Sequence, residues 1–206
     1  MSRKQRSKPK YGHGRRPPTL PVRESFIIFC EGETEVGYFS FFKKRARRTD
    51  GGNALRIVEN AVAFKKASEK IYDHYWVVFD KDETPDQDFT RAIELAEANN
   101  IRAAWSNQAF ECWIILHYRD FRHPCHRNDY EIMLRQHIPS YSAHEKGEDQ
   151  GRQLHLITAP HLRAAIERAK SGHDSFDPAL PAAQKQTCTL IYQLVESIFE
   201  KTNMPG

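Results

Sequence analysis

Apolar runs that stop on an acid organise this chain. Residues 25–30 (SFIIFC) are nearly all apolar, read as a buried strand, and run straight into Glu31 and Gly32. Tyr75–Asp80 (YWVVFD) repeats the pattern and closes on Asp80. Two weaker strands are expected at Ala54–Glu59 and at residues 101–105 (IRAAW). Between them, helical spacing predicts a helix over 34–48. Its end carries Lys43, Lys44, Arg45, Arg47 and Arg48, and cations suit a helix C-terminus. Further helices are expected over 62–73 and over 86–99, the latter with Phe89, Ile93 and Leu95 inward. The stretch QAFECWIILHY (108–118) is too apolar for a surface helix and is placed as a buried one. Strands alternating with helices predict an α/β fold with a mostly parallel central sheet flanked by helices. Beyond residue 120, helices near 127–137, 160–170 and 183–200, with loops at 140–153 and 171–181, predict a mainly helical extension packed on the core. The expected division is a tail of residues 1–23, a core of 24–120 and the extension 121–206.

Composition adds the class. With 206 residues, 39% hydrophobic and 28% charged, the chain can bury a sizeable core and reads as a soluble, cytoplasmic protein. No apolar run approaches the roughly 20 residues that span a bilayer, so no membrane partner is expected. Cys30, Cys112, Cys125 and Cys188 form no close pair and read as reduced thiols. Charge changes the picture more. Of the 31 Lys and Arg residues eight lie within residues 1–23, where no acid occurs, leaving 23 cations against 27 acids in the rest. A tail with Arg3, Lys4, Arg6, Lys8, Lys10, Arg15 and Arg16 among Pro and Gly cannot bury a core and is read as disordered. Such an arm binds nucleic acid through phosphates without sequence preference, unless it serves only to solubilise.

In an open parallel sheet, sites lie at the carboxyl ends of strands. Glu31 and Asp80 therefore project at one edge, and Asp82 joins them if the chain stays extended. Carboxylates converging from two places in sequence would repel and shift their pKa upward unless a cation intervenes. A hard divalent ion such as Mg²⁺ takes such oxygen ligands. Gly32 permits a sharp turn, Thr34 offers a helix cap, and Glu33 and Glu35 suit the positive end of the following helix. His117, His123, Cys125 and His126 match no common zinc spacing, and Pro124 interrupts them. Neither a phosphate loop of the P-loop type nor a G-x-S-x-G elbow is present.

Three stretches, CEGETEVGYF, WVVFDKDE and SNQAFECWIILHY, resemble the RloB family of Toprim-like proteins. Toprim domains occur in topoisomerases, primases and nucleases, and use a glutamate after the first strand and a DxD after a later one, with Mg²⁺. The family's third motif reads SNPxFExW followed by an apolar run and His. Ser106, Asn107, Phe110, Glu111, Trp113 and His117 occupy those places, with Gln108 where Pro is usual. The resemblance covers residues 24–120. Beyond it, Tyr141 and Lys146 in IPSYSAHEKG stand near a displaced Tyr-Lys motif, and QKQTCT replaces the usual Asn-Pro-Ser-Thr.

The resemblance implies a nuclease dependent on Mg²⁺ (or Mn²⁺), acting on RNA or DNA in prokaryotic anti-phage defence, with an ATPase of the same locus as a partner. Glu31, Asp80 and Asp82 are the implied metal ligands, with Glu31 alternatively the general base, and Glu35 adds to the site. Asn107 and Glu111, four apart on an expected helix, complete the candidate catalytic set. Their plainer readings are an N-cap and a buried hydrogen-bonded acid; an acid in an apolar helix is costly without a partner, which favours a site role for Glu111. The rival is a non-catalytic module of the same fold that binds nucleic acid or nucleotide and regulates the ATPase. A nucleotidyl or phosphoryl transferase would need a nucleotide pocket for which no motif is present.

Overall fold

The computed structural model describes residues 24–49 and 52–202. The basic arm, with Arg3, Lys4, Arg6, Lys8, Lys10, Arg15 and Arg16, lies outside the described residues. Strands β1 (Phe26–Cys30), β2 (Arg45–Arg48), β3 (His74–Asp80) and β4 (Arg102–Ser106) form one all-parallel sheet in the order β2-β1-β3-β4. Helices α1 (Glu33–Ser40), α2 (Ala54–Ala67), α3 (Asp86–Ala98) and α4 (Glu111–Leu116) follow the strands in turn. Helices α5 (Tyr130–Arg135), α6 (Glu148–Thr158), α7 (Leu162–Asp174) and α8 (Ile191–Thr202) build the C-terminal part. The α/β class, the parallel sheet and the alternation are as the sequence predicts. Among the described residues no helix is long and apolar enough to cross a membrane.

Two elements sit elsewhere than expected. The first helix ends at Ser40, not 48. Lys43 takes a left-handed conformation at φ 55°, and the cationic stretch returns to the sheet as β2. No Gly or Pro marks that turn, which is why the helical reading runs through it. Conversely, Ala54–Glu59 is no strand but the start of α2. Ala54, Ile57, Val58 and Ala61 are buried at helical spacing, and the Asn53 side chain accepts the Arg56 N–H at 2.9 Å. A short apolar run does not distinguish strand from buried helix by period; here the cap decides. The expected loop 140–153 gives way to α6 from Glu148, α7 continues to Asp174, and α8 begins at Ile191 rather than near 183.

Successive residues of the strands face opposite layers. Ile27, Phe29, Val77 and Phe79 pack against α2 and α3; Ile28, Cys30, Trp76 and Val78 pack against α1, α4 and the C-terminal helices. Both faces being covered explains why β1 and β3 read as continuous apolar runs. Leu134, Leu154, Ala165, Ile191 and Leu194 belong to the same buried cluster as Phe39 and Trp113, so the C-terminal helices share the core of the sheet. Helix α6 lies backbone to backbone on α1. A Cβ on Gly151 would stand 1.9 Å from the Thr34 carbonyl oxygen, and one on Gly37 would stand 2.0 Å from the Glu148 carbonyl oxygen.

The end of β4 is covered by a short antiparallel pairing of Ser106 with Thr189; the Leu190 N–H donates to the Trp105 carbonyl at 2.8 Å, and the Asn107 N–H to that of Cys188 at 2.8 Å. The strand order places a topological switch between β1 and β3, where the crossovers depart in opposite directions.

Candidate functional site

The switch point is where Glu31 and Asp80 meet. The Glu31 N–H donates to the Val78 carbonyl at 3.1 Å, extending the β1–β3 ladder by one residue. Its carboxylate then accepts the Asp80 N–H at 3.1 Å. Past Asp80 the chain does not stay extended. Asp82 is left-handed at φ 39°, and its N–H donates to the Gln108 carbonyl at 2.9 Å. The Asp82 carboxylate nevertheless reaches the same edge, paired with Arg127.

Gly32 precedes α1 and leaves room for Glu35, whose carboxyl folds back so closely that a Cβ on Gly32 would stand 2.4 Å from its Oε2. Glu35 is 8% exposed. Thr34 is not the helix cap: its hydroxyl donates to Gln150 Oε1 at 3.3 Å and accepts the Gly147 N–H at 3.4 Å, tying α1 to the start of α6. Glu33, on the outside, pairs with Arg48 at 2.9 Å. Glu111 opens α4 and accepts the Tyr141 hydroxyl at 2.9 Å. Glu31, Glu35, Asp80, Asp82 and Glu111 all line one cavity of about 560 Å³, together with Arg127, Tyr141 and Lys146.

Asn107 does not join them. Helix α4 starts only at Glu111, so the expected helical spacing from Asn107 does not exist. The Asn107 side chain is buried and donates to the Ala183 carbonyl at 2.9 Å. It fastens the end of β4 to the C-terminal part.

Burial dominates the electrostatics. It pushes Asp80 well above the carboxylate range, and the charges of Glu35, Glu31 and Glu111 push the same way. Burial also lifts Glu35 to about 7, with Glu111 and Glu31 repelling its charge and Lys146 opposing. Glu31 rises for the same first reason; the Asp80 N–H restrains the shift, Asp82 adds to it, and Lys146 and Arg127 counter it. The upward shift read from the carboxylate pattern is thus present, with loss of water as the larger cause.

The family model described as RloB-like protein matches residues 26–198. The chain belongs to the RloB-like family. The match runs well past residue 120, so the C-terminal helices are part of what defines an RloB-like protein. No curated protein and no solved structure matches the chain.

The RloB-like acids offer only oxygen donors, the ligand class of a hard divalent cation. Among the described residues no three His, Cys, Asp or Glu side chains form a ready-made cage. Asp82 turns to Arg127 and Glu111 to Tyr141 instead. Mg²⁺ is commonly held by one or two carboxylates and several waters, so this acidic wall fits such an ion without a cage. His117 lies outside the site. It is buried, its Nδ1 lies 2.9 Å from the Trp113 carbonyl and its Nε2 3.4 Å from the Tyr38 hydroxyl, and burial lowers its pKa to about 4. It is a neutral core histidine.

Arg127 carried no sequence signal, since it sits in a polar stretch and reaches Asp82 only in three dimensions. Tyr141 and Lys146 were visible through the RloB resemblance alone. Removing the Tyr141 hydroxyl tests how firmly Glu111 is held. Tyr141→Phe is expected to cost about 1.5–3 kcal/mol, the worth of a hydrogen bond to a charged group. Urea unfolding at pH 7 measures it, and an unchanged midpoint would mean that the bond does not form.

Proposed function

We propose that this RloB-like chain is a nuclease that uses Mg²⁺ or Mn²⁺ to hydrolyse phosphodiester bonds of RNA or DNA, and that it acts in prokaryotic anti-phage defence. The observation that carries the reading is the acidic cavity at the switch point, where carboxyls at the ends of β1 and β3 and in the first turns of α1 and α4 line one wall together with Arg127 and Lys146. Glu31, Asp80 and Asp82 would hold the ion. When bound, it supplies Lewis-acid polarisation of the phosphate and a more acidic water. The remaining work falls to the chain. The Asp80 N–H fixes the direction of the Glu31 carboxylate. Arg127 and Lys146 offset the charge of an entering phosphodiester, an electrostatic task at which fixed cations excel. Glu35, with a pKa of about 7, holds or releases a proton near neutral pH, as a general acid–base group must. Tyr141 keeps Glu111 turned into the cavity wall. The family resemblance is what supports the defence role, and an ATPase of the same locus is proposed as the partner.

The test is cleavage of tRNA, single-stranded RNA, and single- and double-stranded DNA with Mg²⁺ or Mn²⁺, beside Asp80→Asn, Glu31→Gln and an EDTA control. Wild type is expected to cut at least one substrate, with each variant slower by about a hundredfold or more. Titration calorimetry with Mn²⁺ is expected to show weakened ion binding in both variants. Failure to cut any substrate, with ion binding intact, would replace the enzyme with the non-catalytic module that regulates an ATPase.

A further inference from the structure

The basic cluster Lys43–Arg48 loses its ordinary explanation in the folded chain. Cations at a helix C-terminus are favoured by the helix dipole, but α1 ends at Ser40 and these residues lead into and form β2. Among the described residues β2 is the edge strand of the sheet, pairing with β1 alone. Lys43, Arg45, Arg47 and Arg48 are exposed. The groups that orient the two central arginines are neutral. Arg45 Nη1 donates to the Tyr72 hydroxyl at 3.0 Å, and the Arg47 guanidinium lies over the Phe64 ring at 5.1 Å and the Phe29 ring at 5.8 Å. They face one side of the strand, two residues and therefore roughly 7 Å apart, a spacing suited to successive phosphates of an extended polynucleotide.

The stripe also leads somewhere. Parallel pairing sets Arg48 beside Cys30, one residue before Glu31. Arg48 pairs with Glu33, which lines the acidic cavity. Residues 24–206 carry more acids than cations, so the stripe is a local inversion of sign beside a negative site. An acidic cavity repels a polyanion on its own; a row of cations at its rim provides the attraction that brings one in.

We infer that the β2 edge, through Lys43, Arg45 and Arg47, is a phosphate-backbone contact that lays a nucleic-acid strand along the open side of the sheet and leads it to the acidic cavity. The inference rests on the nuclease reading for its direction, not for its measurement. The plainer role of a charged edge is to block edge-to-edge association of sheets, and the experiment separates the two.

Binding of the full-length chain to labelled single-stranded RNA, single-stranded DNA and double-stranded DNA is measured by fluorescence anisotropy in EDTA over a series of KCl concentrations. The triple variant Lys43→Gln, Arg45→Gln, Arg47→Gln is expected to bind the preferred probe at least ~10-fold more weakly. Its plot of log affinity against log salt is expected to be shallower by about 2, at about 0.7 for each phosphate of a single strand that is no longer neutralised. Arg45→Lys with Arg47→Lys keeps the charge and is expected to stay within about threefold of wild type, since phosphate attraction is chiefly electrostatic. A parallel variant with Arg3, Lys4, Arg6 and Lys8 changed to Gln reports the contribution of the arm.

Unchanged affinity and salt slope in the triple variant overturn the inference, whatever the arm variant does. So does a triple variant that keeps its affinity but self-associates on gel filtration, which would make the stripe an edge guard. A wild type that binds none of the probes overturns it as well. Binding through the stripe without cleavage sinks the nuclease and leaves the contact, whereas cleavage and binding indifferent to the triple variant do the reverse.

Discussion

Gly151→Ala is expected to destabilise the protein by about 3 kcal/mol or more, the upper end of ordinary overpacking. The added Cβ would fall 1.9 Å from the Thr34 carbonyl oxygen and 2.7 Å from the Tyr38 nitrogen, both backbone atoms of α1. No flexible side chain can yield there, so α1 and α6 must separate. Separation uncovers Leu154 and loosens the Tyr38–His155 ring contact at 5.0 Å. It also draws Gln150 and Lys146 away from the cavity. For a chain of this size each kcal/mol lowers Tm by roughly 2–4 °C, so calorimetry should show a fall of roughly 6–12 °C. Gly172→Ala is the control. It lies in α7 with nothing within 4 Å of a new Cβ, and is expected to be neutral or stabilising by up to about 1 kcal/mol. A Gly151→Ala protein that melts with wild type would refute the close crossing of α1 and α6.

Glu35→Gln is expected to stabilise the metal-free protein at pH 8 and to have little effect near pH 4. In the folded chain Glu35 keeps its proton to about pH 7, whereas the unfolded chain releases it near 4.5. Between these values the native state binds more protons, so wild-type stability falls as pH rises through that window. Glutamine cannot ionise and escapes this fall. At 1.36 kcal/mol per pH unit the gap amounts to at most roughly 3 kcal/mol, fully developed above pH 7. Asp80 and Glu31 shift in the same direction, and the Glu35 charge helps to raise Asp80, so its removal eases the whole site. Urea midpoints in EDTA at pH 4, 5 and 8 measure the effect. A variant that is equally stabilised at all three values, or destabilised at pH 8, would contradict it. If the cavity holds Mg²⁺ as proposed, the added ion should stabilise both proteins at pH 8, because Glu31, Asp80 and Asp82 remain in the variant. Under the proposed nuclease reading, the gain in stability is expected to accompany loss of cleavage, the usual exchange at a site built from repelling charges.

The strong strands and the acids that close them were legible because β1 and β3 are buried on both faces and must be apolar throughout. The placement of Glu31 and Asp80 at one edge followed from that alone. β2 was not legible: a four-residue edge strand, RARR, buries little and has no apolar signature. Its cations fit a helix end equally well, and the apolar start of α2 has the stronger strand pattern. Helix α6 is hidden in the sequence by its polar first turn, Glu148–Gln150, whose residues resemble a loop. Its docking depends on Gly151 and Gly37, and a glycine signals close approach only once its partner is known. Asn107 was drawn into the candidate site by a helical spacing that the chain does not adopt. Arg127 and its ion pair to Asp82 join residues far apart in sequence, and no local pattern announces them.

The pairing of Cys188–Leu190 with the end of β4 bears on when the protein can act during its own synthesis. Glu31, Glu35, Asp80 and Asp82 leave the ribosome early, and chains fold from the N-terminal side as they emerge. Lys146 and Gln150 follow much later, and the segment that clamps Trp105 and Asn107 later still. A nascent chain therefore holds its acids without the cations and the brace that complete the cavity. The assembled geometry belongs to a chain translated through Leu190; if the protein is the nuclease proposed above, its action on nucleic acid around the ribosome that is making it is delayed until then.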